Sequence, residues 1–251
     1  MECKQRSHAD YLETVRTPME TRTIKTWQDL ASISEEFATK TWIFRGVEDE
    51  SYELIPKIGR LDSRKNLDGS NAGYSSDAEN HTVERFKREA RPHIGIEPAS
   101  HLDWLSIAQH HGLPTRFLDW TESPLVAAYF ALRRAGIVDG ERKDAAIYGL
   151  EKVPVVQSDD EYKRSSDEVV SYYPRHLTPR ITAQRGLFTC HRNPATPYKP
   201  DALLKWIIPS NVCFDLKLVI NKSGVNEASM FPDLDGVAKH VGWLHKWKLG
   251  Q

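Results

Sequence analysis

Thr41-Trp42-Ile43-Phe44-Arg45-Gly46-Val47 is an aromatic and β-branched run that ends on glycine and valine. Such residues suit a pleated surface, so the run reads as a buried strand that delivers Arg45 at or near its end. A guanidinium is costly to bury without an anion. Arg45 therefore either pairs with an internal carboxylate such as Asp119 or Glu48, or it faces a cleft. There its planar fork of donors can grip a pyrophosphate or a carboxylate with two parallel bonds.

Outward from this strand the chain reads as α+β. Residues 11–40 are helical in character, with Trp27, Leu30, Ile33 and Phe37 recurring three and four apart. Residues 62–81 are rich in Ser, Asn, Asp and Gly and read as an exposed loop insertion. Helices are expected over 82–91 and 102–111, the second ended by Pro114. Ser123 and Pro124 then open an apolar helix over 125–134 as N-cap and first-turn proline. Arg133 and Arg134 suit the negative pole of that helix. Strand-like runs follow at 145–150, 181–191, 203–209 and 214–220, whereas 153–174 is polar and acidic and offers little core. Phe231-Pro232-Asp233-Leu234-Asp235-Gly236 reads as a turn seating a last helix that holds Val237, Val241 and Leu244.

The 251 residues carry 34 Lys+Arg against 35 Asp+Glu, a net charge of −1, which excludes a whole-molecule basic field. Nucleic-acid contact would need a local patch. Lys57, Arg60, Arg85, Lys87, Arg88 and Arg91 are candidates for one, with a solvated helix face as the plainer reading. Cys3, Cys190 and Cys213 form no paired framework, and no signal-like or membrane-spanning run is apparent, so the expected setting is cytoplasmic, with no membrane partner. One domain over 24–251 with an N-terminal appendage at 1–23 is the simplest division.

Several residues bear chemistry. Thr115-Arg116 and Asp119-Trp120-Thr121 follow a Gly-x-Pro turn just ahead of a helix start, where amides and hydroxyls suit phosphate or ribose oxygens. Capping by Thr121 or Ser123, with Asp119 tied to nearby amides, would explain the same residues without a ligand. His110 and His111 are adjacent and so point about 100° apart, with no partner at ligand spacing; a hydrogen-bonded cleft histidine is expected, and no metal. Trp120 and Tyr129 offer flat surface for stacking, and Phe130 reads as core. Gln184 sits among apolar neighbours and needs partners for its amide. Glu227 either serves as a second acid or caps a helix.

Five blocks in order resemble the FRG domain, a prokaryotic family. They are Phe44-Arg45-Gly46; the long run from Ser106-Ile107-Ala108-Gln109-His110-His111 to Thr121-Glu122-Ser123-Pro124; Leu125-Val126-Ala127-Ala128-Tyr129-Phe130-Ala131; Arg180-Ile181-Thr182-Ala183-Gln184-Arg185-Gly186-Leu187-Phe188-Thr189; and Met230-Phe231-Pro232-Asp233-Leu234-Asp235-Gly236. The layout is also similar to the ADP-ribosyltransferase fold. That resemblance implies a split, mostly antiparallel sheet flanked by helices, with one ligand cleft between its halves. It implies an enzyme that uses NAD as substrate, acting as a toxin or in phage defence on a nucleic-acid or protein acceptor and held by a neutralising antitoxin or immunity partner. Arg45, Thr121, Ser123 and Gln184 would be the catalytic set. Arg45, Gly46, His110, Thr115, Arg116, Asp119, Trp120 and Tyr129 would hold NAD. The superfamily's third strand carries a glutamate where this chain has Gln184. A non-catalytic module that binds a nucleotide or nucleic acid on the same scaffold is the alternative.

Overall fold

The computed structural model describes residues 19–151, 153–175 and 178–249. In chain order these form β1 (Glu20–Thr23), α1 (Trp27–Glu36), β2 (Trp42–Val47), α2 (Ser76–Ala90), α3 (His101–His110), β3 (Phe117–Thr121) and α4 (Pro124–Ala131). A two-stranded ribbon, β4 (Ile137–Val138) and β5 (Glu141–Arg142), leads into β6 (Ala145–Glu151), β7 (Val155–Val156), α5 (Asp159–Arg164) and β8 (Val169–Tyr172). The rest is α6 (Pro179–Ala183), β9 (Gly186–His191), β10 (Leu203–Ile208), α7 (Cys213–Lys222), α8 (Glu227–Met230) and α9 (Leu234–Lys246).

One sheet runs β1-β10-β6-β2-β3-β9-β8-β7, antiparallel except at β1/β10 and β7/β8. The fold is α+β, with a large, mostly antiparallel sheet flanked by helices. On one side β2 pairs with β6 over its whole length, from Trp42↔Glu151 to Val47↔Ala146. On the other, β3 pairs with β9 from Phe117↔Cys190 to Thr121↔Gly186. Between the halves, β2 and β3 share a single pair, Phe44↔Thr121. The sheet is thus nearly divided at its centre.

The helix α4 lies directly on β2. Ser123 caps it by accepting from the Val126 amide, and Pro124 fills the first turn. A Cβ on Gly46 would stand 1.9 Å from the Ala127 carbonyl oxygen, so only glycine lets the helix backbone approach this closely. Phe44, Ala127, Ala131, Ile147 and Trp206 close the core beneath it.

Several expectations are corrected. The first helix starts at Trp27 behind a Thr26 capping box, and residues 20–23 form β1 on the sheet edge; residues 11–18 lie outside the described residues. The exposed loop ends at Ser75, whose side chain caps α2. Residues 153–174 do supply core, because Val156, Val170 and Tyr172 are buried through β7 and β8. The expected strand at 181–191 begins only at Gly186: Thr178 caps α6, and Arg185 turns the chain at φ +46°. Residues 214–220 are helical, since Cys213, Leu216 and Ile220 bury one face at helical spacing. In α9, Val237 and Val241 are exposed.

Candidate active site

Beyond Phe44↔Thr121 the two central strands no longer pair, and a cleft of about 350 Å³ opens between them. One wall is Arg45 to Val47 of β2 and Glu48 after it, the facing one Asp119 to Thr121 of β3, and Phe130 of α4 and Arg133 just past its end also line it. Its size is that of a small-molecule site, and it lies at the seam of two half-sheets.

Arg45 reaches across the seam. Its Nη1 donates to the Asp119 carbonyl at 2.8 Å and lies 3.5 Å from the Asp119 carboxylate. Nη2 and Nε make no hydrogen bond among the described residues, so half of the fork is left for a ligand. The side chain is 16% exposed and Asp119 59%. Burial lowers the Arg45 pKa, against the raising effect of the Asp119 charge. Glu48, the other carboxylate expected near Arg45, pairs instead with Arg134 at 3.1 Å. Asp119 is held by the Gln109 amide at 2.9 Å, and Gln109 in turn accepts from the Thr115 hydroxyl at 2.8 Å. Thr115 is buried, does not line the cleft, and acts on it through Gln109.

Three cations that the sequence does not point to as cleft residues line it too: Arg60, expected in a surface patch, Arg133, expected only at a helix end, and Arg180. The Arg180 guanidinium lies 4.0 Å from the centre of the Phe231 ring and that of Arg133 5.3 Å. Gly236 seats that ring's backbone, because any Cβ there would stand 1.9 Å from the Phe231 carbonyl oxygen. Nε of Arg180 is sealed from water with no hydrogen-bond partner. Burial lowers the Arg180 pKa. His110 also lines the cleft, and burial, followed by the charge of Arg180, pushes it down to about 4. It is a neutral imidazole at pH 7, as a cleft histidine that can both donate and accept.

The remaining candidates divide. Gly46, Trp120, Thr121 and Gln184 line the cleft with Arg45, Asp119 and His110. The Thr121 hydroxyl donates to the Gln184 carbonyl at 2.9 Å and accepts from the Ser123 amide at 3.1 Å, which fixes the turn into α4. Gln184 stands at the end of α6 rather than in a strand, and its Nε2 donates to the Met230 carbonyl at 3.2 Å. Ser123 does not line the cleft; its hydroxyl is the α4 cap. Arg116 is elsewhere too, in a network with Glu79, Tyr74 and Tyr162. Tyr129 lines a neighbouring hollow of about 390 Å³ and bonds the Glu227 carboxylate there. A signal for the missed residues was present: Arg133 and Phe231 stood in blocks read only as helix end and turn.

Behind the cleft wall a polar chain fixes Trp120. Its indole N–H donates to the Thr189 hydroxyl at 2.9 Å, and that hydroxyl lies 2.8 Å from Nε2 of buried His191. An indole can only donate, so Thr189 accepts from it on one lone pair; with the hydroxyl proton turned toward His191, Nε2 accepts it and the ring proton sits on Nδ1. Burial and the nearby Arg45 charge push the His191 pKa down to about 3, in keeping with a neutral ring.

No curated protein and no solved structure matches the chain significantly. Residues 40–139, which carry Arg45, Asp119 and α4, match the family model of the FRG domain and support assignment of the chain to the FRG family.

Proposed function

We propose that the chain is an NAD-dependent mono-ADP-ribosyltransferase acting on a nucleic-acid or protein acceptor, as a bacterial toxin or anti-phage effector. The observation that carries this reading is the cleft where β2 and β3 part, with Arg45 on its wall and half its fork unused. Breaking the nicotinamide–ribose bond passes through an oxocarbenium-like state. The site must therefore hold the dinucleotide's phosphates, orient the nicotinamide and meet the positive ribose with negative charge. Guanidiniums serve the first need, and Trp120 and Phe130, which line the cleft, serve the second. For the third, Gln184 provides only a dipole. The carboxylates that line the cleft are Glu48, Glu53 and Asp119, and of these Asp119 stands beside Arg45. An acceptor nucleophile would attack C1′ of the ribose as nicotinamide leaves with the bonding electrons.

The second reading, a non-catalytic nucleotide-binding module, is favoured by one contact: the Gln184 amide that would replace the acid is occupied by the Met230 carbonyl. The two part in one experiment. The protein is incubated with NAD labelled in its adenylate half and a cell extract, followed by protease or nuclease digestion. Transfer of label that is lost in Arg45→Ala supports the enzyme. Binding of NAD without transfer or nicotinamide release supports the module, and no binding of NAD at all removes the enzyme reading and leaves the module only a different nucleotide or a nucleic acid.

A further inference from the structure

We propose that Arg180 and Arg133, both over the Phe231 ring, form the diphosphate subsite of the cleft, and that Arg45 serves the opposite, ribose end. The assignment rests on reading the cleft as a nucleotide site, and it divides that site in two.

The argument starts from unmet charge. Among the described residues Arg180 makes no ion pair, and its Nε has neither water nor a hydrogen-bond acceptor. Arg180 is half-buried, and a guanidinium partly withdrawn from water with one nitrogen sealed and unpaired carries a cost that an anion bound at its remaining nitrogens would reduce. Asp233 and Glu227 face Arg180 electrostatically, but neither lies within ion-pair distance of it. Arg133 is held by Glu227 at 3.4 Å, and that carboxylate also accepts the Tyr129 hydroxyl, so its charge is shared. Two cations thus stand on one aromatic ring with little negative charge committed to them. A diphosphate, with oxygens spread over a few ångströms, is the ligand group that can bridge both.

Arg45 presents the contrary case. Its Nη1 is spent on the Asp119 carbonyl, and the Asp119 carboxylate is 3.5 Å away. A phosphate placed there would meet an acid at close range, whereas a ribose hydroxyl could donate to that acid and accept from the free nitrogens of Arg45. Local structure also anchors the subsite. Arg180 sits in α6 behind the Thr178 cap and Pro179, and the Phe231 backbone is pinned against Gly236. Little ordering remains to be done on binding.

Titration calorimetry with inorganic pyrophosphate and with ADP-ribose at low salt tests the division, using wild type, Arg180→Gln, Arg133→Gln and Arg45→Gln. Loss of a charge-assisted contact in Arg180→Gln should weaken both ligands about tenfold or more. Arg45→Gln should change pyrophosphate affinity less than about threefold. Arg133→Gln, at a side chain 42% exposed and so safe for folding, should follow Arg180→Gln. The proposal is overturned if wild type fails to bind pyrophosphate at about 1 mM. It is equally overturned if Arg45→Gln abolishes that binding while the other two variants retain it. Pyrophosphate binding that needs Arg180, in a protein that neither binds nor cleaves NAD, would keep the subsite and remove the NAD reading. NAD transfer indifferent to both Arg180→Gln and Arg133→Gln would do the reverse.

Discussion

Nη1 of Arg45 donates to the backbone carbonyl of Asp119 at 2.8 Å, just where β2 and β3 have stopped pairing. A side chain thus spans the gap that the sheet leaves open, and one residue both braces the cleft and lines it. Arg45→Ala should lower stability by about 1–2 kcal/mol in urea unfolding, the cost of a hydrogen bond to a charged group, and abolish label transfer from NAD. Asp119→Asn leaves the carbonyl bond intact and should lose transfer with a smaller loss of stability. Equal transfer by wild type and Arg45→Ala would take Arg45 out of the chemistry and leave it only the bracing role.

Gly46 bears on the cleft by steric means. Its missing Cβ is the space occupied by the Ala127 carbonyl, so Gly46→Ala must push α4, with Phe130 and Arg133, away from β2. Overpacking of this kind costs about 1–3 kcal/mol or more. The thermal midpoint should fall by several degrees, whereas Gly95→Ala, where nothing lies within 4 Å, should leave it nearly unchanged. Matching midpoints for the two variants would mean that α4 is free to shift.

Much of this arrangement was readable in the chain, and the failures have common causes. The strand bearing Arg45 and the capped helix α4 were clear, because aromatic and β-branched content in one and Ser-Pro in the other act locally. The start of β9 was not, since Pro179 and the positive φ of Arg185 break a run whose composition alone suits a strand. Arg116 looked like a ligand residue beside Asp119 in sequence, yet alternate residues of a strand and its preceding turn need not face one cleft. Arg133, Arg180 and Phe231 come from three separate elements, and only folding brings them together.

Arg116 provides a test of that separation. Its guanidinium makes two bonds to Glu79, at 2.9 and 2.6 Å, with Glu79 only 3% exposed. Burial works against the cation, but the bonds and charge of Glu79 outweigh it and raise the pKa. Removing one partner of such a pair strands the other, at a cost of about 3–5 kcal/mol. Arg116→Met should therefore be strongly destabilised in urea, while the double variant Arg116→Met/Glu79→Leu regains part of the loss. At a temperature where it is folded, the double variant should bind ADP-ribose like wild type. A matching loss of affinity would return Arg116 to the site.

The polar chain Trp120–Thr189–His191 makes a pH prediction whose sign is fixed. With its folded pKa pushed down to about 3, His191 binds fewer protons folded than unfolded, where the value is about 6.5. Its contribution to stability is complete above the unfolded value and is lost as pH falls from there toward the folded one. Each such group adds a slope of up to about 1.4 kcal/mol per pH unit. Between pH 7 and 5 few carboxylates titrate, so the fall in the urea midpoint over that range should be smaller in His191→Asn than in wild type. His110, pushed down to about 4, adds a second slope of the same sign that His191→Asn leaves in place. Nitrogen-detected NMR of wild type should show His191 with its proton on Nδ1 and no titration down to pH 5. A ring found protonated on Nε2 would make Thr189 the acceptor of both the Trp120 and His191 N–H groups, with its own proton turned elsewhere.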